Sequence, residues 1–294
     1  AASFSTDVIQ GPSLLRTGLD RPNPSLILLP GLRSLPFWTQ PTANDSNNNN
    51  NNETKNNTNR VAYQDPQVTF CVEHLQSHWE TLRDEYTAVA PGLASDYHPQ
   101  DNISSSTAAT PNSTNTGTEH KQTLHEGTWD WHSYMLKGAI QGHFCAHFPQ
   151  TTAVLQVLRD EGLLFEGTPF GYSFYSTLYP KSKIEPHTAP MNFRLRIHLP
   201  LIVPNVGATA TTTKGSNNNK DDDDENHPPC GIRVGPLIRP WIEGQALVLD
   251  DAYRHAVWNQ TDSPRVILLV DIWHPDVTMS ERRDIVQMFA KAAE

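Results

Sequence analysis

Apolar residues recur from Val72 onward at Val72, Leu75, Trp79, Leu82, Tyr86 and Val89, in steps of three and four. That spacing predicts one amphipathic helix over 72–89, packed on a core by a single face. Thr151 to Leu164 repeats the pattern over a shorter span, and Ser280 to Ala293 predicts a closing helix. Between these helices the period changes. Tyr172 to Tyr179 alternates aromatic and small residues, while Phe193 to Val203, Gln245 to Leu249 and Val266 to Trp273 are rich in Val, Ile and Leu with turn residues between them. These read as strands, and no helical pattern recurs to join them in parallel. An earlier apolar run, Ser25 to Gly31, ends in Pro-Gly and reads as extended. The expected architecture is therefore mostly β with flanking helices: helices first, then an antiparallel sandwich or barrel. No repeat appears at solenoid periods.

Three polar stretches interrupt this order. Residues 42–60 contain ten Asn, 100–118 are Ser, Thr and Asn, and 206–227 pass through Thr and Asn into an acidic tract. They explain why only 37% of the 294 residues are hydrophobic and 18% charged, both low for a globular domain. They are expected to be disordered inserts. About 234 residues remain, enough for one large core. The expected organisation is a single domain over 1–294, with a helical part to about 165 and a β core over about 166–285.

Charge and cysteine content narrow the function classes. The net charge is −10, but Asp221 to Glu225 supplies five of those charges, and the run reads as a solvated loop. No Lys/Arg stripe favours nucleic acid as a partner. No apolar run reaches the roughly 18 to 20 residues of a membrane span. Cys71, Cys145 and Cys230 form neither a disulfide framework nor a metal pair. The first residues lack a signal-peptide pattern, so a cytoplasmic location is expected, although a chain without an initial Met leaves room for a trimmed upstream segment.

The segment Phe193-Arg-Leu-Arg-Ile-His-Leu199 carries the most chemistry. A period of two puts Phe193, Leu195, Ile197 and Leu199 on one face and Arg194, Arg196 and His198 on the other. On an open sheet the second face would be solvated. The apolar Pro200 to Pro204 that follows argues for a central strand, whose inward cations need a counter-charge. A bound carboxylate or a salt-bridged surface would each supply one. His187 precedes this strand and His255 follows the strand ending at Leu249, so the two could meet around Fe, Zn or Cu.

Three strings sharpen that picture: His187-Thr-Ala-Pro-Met-Asn-Phe-Arg-Leu-Arg196-Ile-His198, then Trp241-Ile-Glu-Gly-Gln-Ala through Tyr-Arg-His255-Ala-Val-Trp258, then Arg265-Val-Ile-Leu-Leu-Val-Asp-Ile-Trp-His-Pro275. From about Leu163 to Arg283 the chain resembles the aspartyl/asparaginyl β-hydroxylase family, with weaker echoes at Leu29 to Trp38 and Cys145 to Thr151. The resemblance implies a double-stranded β-helix of jelly-roll, cupin-like form. It also implies an oxygenase using Fe(II), 2-oxoglutarate and O2. His187 and His255 would then be the two metal ligands and catalytic residues. Ser176, Arg196, His198 and Arg265 would contact 2-oxoglutarate, with Arg265 on its far carboxylate. Ala189, where related oxygenases carry an acidic ligand and this family Gly, cannot ligate. In some related oxygenases Ala there admits halide, but the family hydroxylates without a carboxylate ligand, so hydroxylation is expected over halogenation.

Other residues fit this reading less directly. His143-Phe-Cys145-Ala-His147 lacks the Glu of a metalloprotease helix and reads as structural. Asp250 and Asp251 read as turn residues that hold the His255 loop. Arg254 and Ala256 stand where animal enzymes of that family carry acidic residues, so no substrate preference is carried over from those positions. The leading expectation is hydroxylation of an Asp- or Asn-type β-carbon in a peptide or protein. The alternatives are the same chemistry on a free amino acid or other small metabolite, and a catalytically silent β-barrel binding module.

Overall fold

The computed structural model describes residues 22, 24–39, 65–98, 124–204 and 227–292. The three polar stretches fall outside these residues, apart from His227. In chain order the elements are helices α1 (Pro66–Ser77) and α2 (Trp79–Val89), then strands β1 (His125–Glu126), β2 (Trp129–Leu136) and β3 (Ala139–Ile140). Helices α3 (Gly142–His147) and α4 (Pro149–Asp160) follow. Next come β4 (Ser173–Leu178), β5 (Ser182–His187), β6 (Arg194–Ile202), β7 (Cys230–Val234) and β8 (Leu237–Pro240). The chain continues through β9 (Leu247–Leu249), β10 (His255–Asn259) and β11 (Arg265–Trp273) to helix α5 (Met279–Ala292).

Two antiparallel sheets result, one ordered β1-β5-β10-β7-β8 and the other β3-β2-β4-β11-β6-β9. They pack face to face in a jelly-roll sandwich, with Trp129, Phe174 and Leu269 of one sheet meeting Ile184, Ile232 and Val257 of the other. No strand pair joins the two sheets among the described residues, so the barrel is not closed by hydrogen bonds. The outer face of the six-stranded sheet is covered by helices. Cys71, Leu75, Leu82, Leu155 and Leu158 pack there on Leu195, Ile197, Leu199, Leu268 and Val270. Both faces of β6 and β11 are thereby buried, which is what turns the polar face of β6 into a cavity lining rather than a solvated surface.

The expected long helix over 72–89 is two helices. It begins earlier, at Pro66, where Asp65 caps it by accepting from the Gln67 and Val68 amides. It breaks at His78 because the His74 carbonyl accepts from Ser77 Oγ and His78 Nδ1, both at 2.8 Å, and the His78 amide donates to Leu75 instead. Helix α4 also starts earlier than its apolar pattern, at Pro149, and stops at Asp160 ahead of Gly162, whose φ of 66° suits a helix end. Phe148 offers no cap there. Glu85 of α2 supplies one, accepting from the Gln150 and Thr151 amides at 2.8 Å each. The segment before Thr151, expected to be helical, also contains β1, β2 and β3. Strand β2 bonds to β4 and extends the six-stranded sheet.

His274 follows β11 in the interior. Its Nε2 donates to the Arg33 carbonyl at 2.9 Å and its Nδ1 accepts from the Asp276 amide at 3.1 Å, so the neutral ring is the one the fold uses. Burial lowers its pKa from 6.5 to about 4. The unfolded chain takes up this proton over that window and the folded chain does not. Stability is therefore complete above the unfolded value and falls as pH drops toward 4, by up to roughly 3 kcal/mol. Urea unfolding between pH 7 and 4 checks this: the fall should be smaller in His274→Asn than in the wild type, and equal slopes would refute it.

Candidate active site

A cavity of about 80 Å³ lies between the sheets, and all six residues expected in the site line it: Ser176, His187, Arg196, His198, His255 and Arg265. Antiparallel pairing builds its centre. His187 closes β5, His255 opens β10, and the two are partners in register. Their ring centroids stand 4.0 Å apart with 54° between the planes. Each ring is oriented by its own chain, since His187 Nδ1 meets the Glu185 carbonyl at 2.7 Å and His255 Nδ1 meets the Tyr253 carbonyl at 2.9 Å. A carbonyl only accepts, so Nδ1 carries the proton and Nε2 keeps its lone pair on both rings. Burial lowers the pKa of both, and for His187 the neighbouring His255 adds to it. Two neutral imidazoles with free Nε2 atoms suit a transition metal. Among the described residues no group of three or more His, Cys, Asp or Glu could hold a metal ion.

The turn before His255 ties the two histidine segments together. The Asp251 carbonyl accepts from the Ala189 amide at 2.7 Å, two residues after His187, and Asp250 Oδ1 accepts from the Ala252 amide at 3.0 Å. Asp250 and Asp251 thus hold the His255 loop.

Strand β6 brings Arg194, Arg196 and His198 to the inner face, and the protein supplies counter-charge for both arginines. Arg194 pairs with Asp251, and with Asp271 at 3.0 Å. Arg196 Nε and Nη2 reach Asp271 at 2.7 and 3.0 Å in a bidentate pair, and Nη1 lies 3.2 Å from Asp251. Burial opposes ionisation of Asp251, but Arg194 and Arg196 outweigh it and hold its pKa down to about 2. Arg196 therefore lines the cavity with its fork already engaged by Asp271. Asp271 was not singled out in the sequence; its only signal is an acid inside the apolar run Val266 to Trp273.

Arg265, at the start of β11, is different. It is 1% exposed. Its Nη1 makes long bonds to Ser176 O and Oγ, at 3.3 and 3.4 Å, and its guanidinium lies 4.7 Å over the Trp241 ring. No carboxylate pairs with it among the described residues, its Nε has no partner, and burial lowers its pKa to about 10. Ser176 Oγ also accepts from Trp129 Nε1 at 2.9 Å, which leaves its own O–H free to donate. His198 sits nearby with Nδ1 unpartnered, its pKa lowered well below 6.5 by burial and then by Arg265. Trp129 and Trp241 complete this end, and neither was identified as a site residue from sequence. For Trp129 the alternation Trp129-Asp-Trp131 was the available signal.

His143 and His147 lie on α3, away from the cavity. His147 Nδ1 bonds the His143 carbonyl at 2.8 Å, a link within the helix. Cys71, Cys145 and Cys230 are all unpaired. No helix among the described residues is long and apolar enough to cross a membrane.

Residues 76–275 match the family model described as aspartyl/asparaginyl beta-hydroxylase. The mouse protein named aspartyl/asparaginyl beta-hydroxylase is 28% identical over 217 residues, covering 74% of this chain and 23% of its own length. The human aspartate beta-hydroxylase domain-containing protein 2 is 30% identical over 166 residues, covering 55% of this chain and 38% of its own. The chain thus spans less than half the length of either relative. Among solved structures, a cupin barrel domain protein from Salinispora arenicola aligns over 41% of this chain and 71% of its own, at 14% identity and a TM-score of 0.23.

Proposed function

This chain belongs to the aspartyl/asparaginyl β-hydroxylase family, and from that premise we propose that it is an Fe(II)- and 2-oxoglutarate-dependent oxygenase that hydroxylates an Asp- or Asn-type β-carbon in a peptide or protein. The observation that carries the reading is a pairing of features in one cavity: two neutral histidines with free Nε2 atoms, and a buried arginine that no carboxylate pairs with among the described residues. The first suits a metal and the second a carboxylate.

His187 and His255 would hold the iron, which, when bound with 2-oxoglutarate, supplies the activation of O2 for C–H oxidation. The chain's own residues do the binding and orienting. The carbonyls of Glu185 and Tyr253 fix the tautomer that presents Nε2. Arg265 would take the far carboxylate of the cosubstrate, because its planar fork matches a carboxylate. Ser176, held by Trp129, would add one O–H donor there. Arg194 and Arg196 are balanced by Asp251 and Asp271, so the positive charge left over is concentrated at Arg265, which fixes the direction in which a dicarboxylate enters. The apolar walls of the sandwich exclude water.

The test is succinate formation from 2-oxoglutarate by the purified protein with Fe(II) and O2. Turnover should require Fe(II) and cease with a chelator. Absence of both iron binding and turnover in the wild type would instead support a silent binding module.

A further inference from the structure

The cavity has two unlike flanks. On the side of β6 and β11 it is lined by Arg194, Arg196, His198 and Arg265. On the side of β2 and β4 it is lined by Trp131, Phe174, Tyr172 and Phe170, with Leu124 facing them. Strand order separates the two, since β2 and β6 stand on opposite sides of the β4–β11 pair. This second flank is bordered by Arg194 at the Phe170 carbonyl, to which the Arg194 Nη1 donates, while Trp131 and Phe174 themselves are uncharged. Its centre is a built aromatic surface: Trp131 stacks on Phe174 at 4.1 Å and 22°, and meets Trp129 and Tyr172 edge to face at 5.0 and 6.1 Å. The indole Nε1 of Trp131 is buried and has no hydrogen-bond partner, although buried Trp N–H groups usually find an acceptor. A dicarboxylate held by Arg265 leaves this flank unused, and an aromatic-walled space offers water few partners.

We propose that the Trp131–Phe174 wall is a substrate subsite that takes an aromatic side chain adjoining the hydroxylated residue. The inference rests on the oxygenase reading for the second half of that statement only. A flat ring gains stacking contact on Trp131 and Phe174, whereas a Lys or Asp side chain would lose hydration there beside an Arg194 already paired with Asp251 and Asp271. The subsite therefore selects by the neighbour of the reacting residue, and leaves recognition of that residue to the charged flank.

Metal-free protein and ligand-observed NMR test the subsite without any turnover. N-acetyl-phenylalaninamide and N-acetyl-tryptophanamide should bind at least about tenfold more tightly than the lysine or alanine amides. Trp131→Ala should cost about tenfold in that affinity, and Trp131→Phe should restore most of it. If Trp131→Ala does not fold by circular dichroism, Phe174→Leu is read instead, since it removes the stacking partner and keeps an apolar side chain. Equal binding of the lysine or alanine amide overturns the proposal, as does unchanged aromatic affinity in the folded variant. In the iron-loaded wild type, a blocked Asp-Phe peptide should stimulate succinate formation at a lower KM than Asp-Ala. Lack of any Fe(II)-dependent succinate would sink the oxygenase reading alone, because the NMR result does not depend on it.

Discussion

His187→Ala and His255→Ala are each expected to abolish Fe(II)-dependent succinate formation, with turnover down by more than the roughly 10- to 100-fold that loss of a partner behind a metal ligand costs. The reason lies in the number of ligands. With no third His, Cys, Asp or Glu grouped with the pair among the described residues, removing one imidazole leaves the metal a single protein nitrogen. The fold should survive, because both rings are neutral and make only local bonds to the Glu185 and Tyr253 carbonyls. The measurement is Fe(II) or Mn(II) binding beside a thermal melt of the metal-free variants. Undiminished metal binding in either variant would remove these histidines from the proposed site.

Arg265→Met gives the second large effect, and its sign differs between fold and function. A buried guanidinium with no carboxylate partner costs the folded protein desolvation energy that the Trp241 ring and two long bonds to Ser176 offset only in part. An apolar side chain of similar length removes that cost, so the ligand-free variant should melt at or above the wild-type temperature. Binding of 2-oxoglutarate should weaken by about 10- to 100-fold, the worth of a charge-assisted bidentate pair. The wild type should gain thermal stability as 2-oxoglutarate is added with Mn(II), and the variant should not at the same concentration. A variant that loses stability without ligand while keeping its 2-oxoglutarate affinity would show Arg265 to be structural.

Much of this was legible in the chain. The alternation in Phe193 to Leu199 assigned the faces of β6 correctly, since Leu195, Ile197 and Leu199 pack under α1 and α2 and the polar set lines the cavity, while Phe193, just before the strand, packs with Phe165, Trp273 and Val277. The strings around His187, His255 and Arg265 pointed to the family. Strand β2 was not read, because it follows a polar stretch and its residues Trp129 to Leu136 mix aromatic, acidic and hydroxyl side chains. Its absence from the sequence reading also hid Trp129 and Trp131, and with them the aromatic flank. The helix break at His78 was hidden for another reason: the hydrophobic period runs through it unbroken, and only the competition for the His74 carbonyl interrupts the backbone.

What the sequence by itself determined was local and periodic: the strands β4, β6, β9 and β11, the apolar face of β6, and the arginines and histidine that its other face carries. Periodicity follows from backbone geometry, so it needs no knowledge of neighbours. What only the tertiary structure decided was where each charge finds its partner. Arg194, Arg196 and Arg265 look alike in sequence, yet the first two are balanced by Asp251 and Asp271 and the third has no carboxylate partner among the described residues. Those pairings join residues far apart in the chain, and burial makes an unpaired charge so costly that the difference sets their roles. Arg265 is therefore the cation left to take the carboxylate that the proposed function requires.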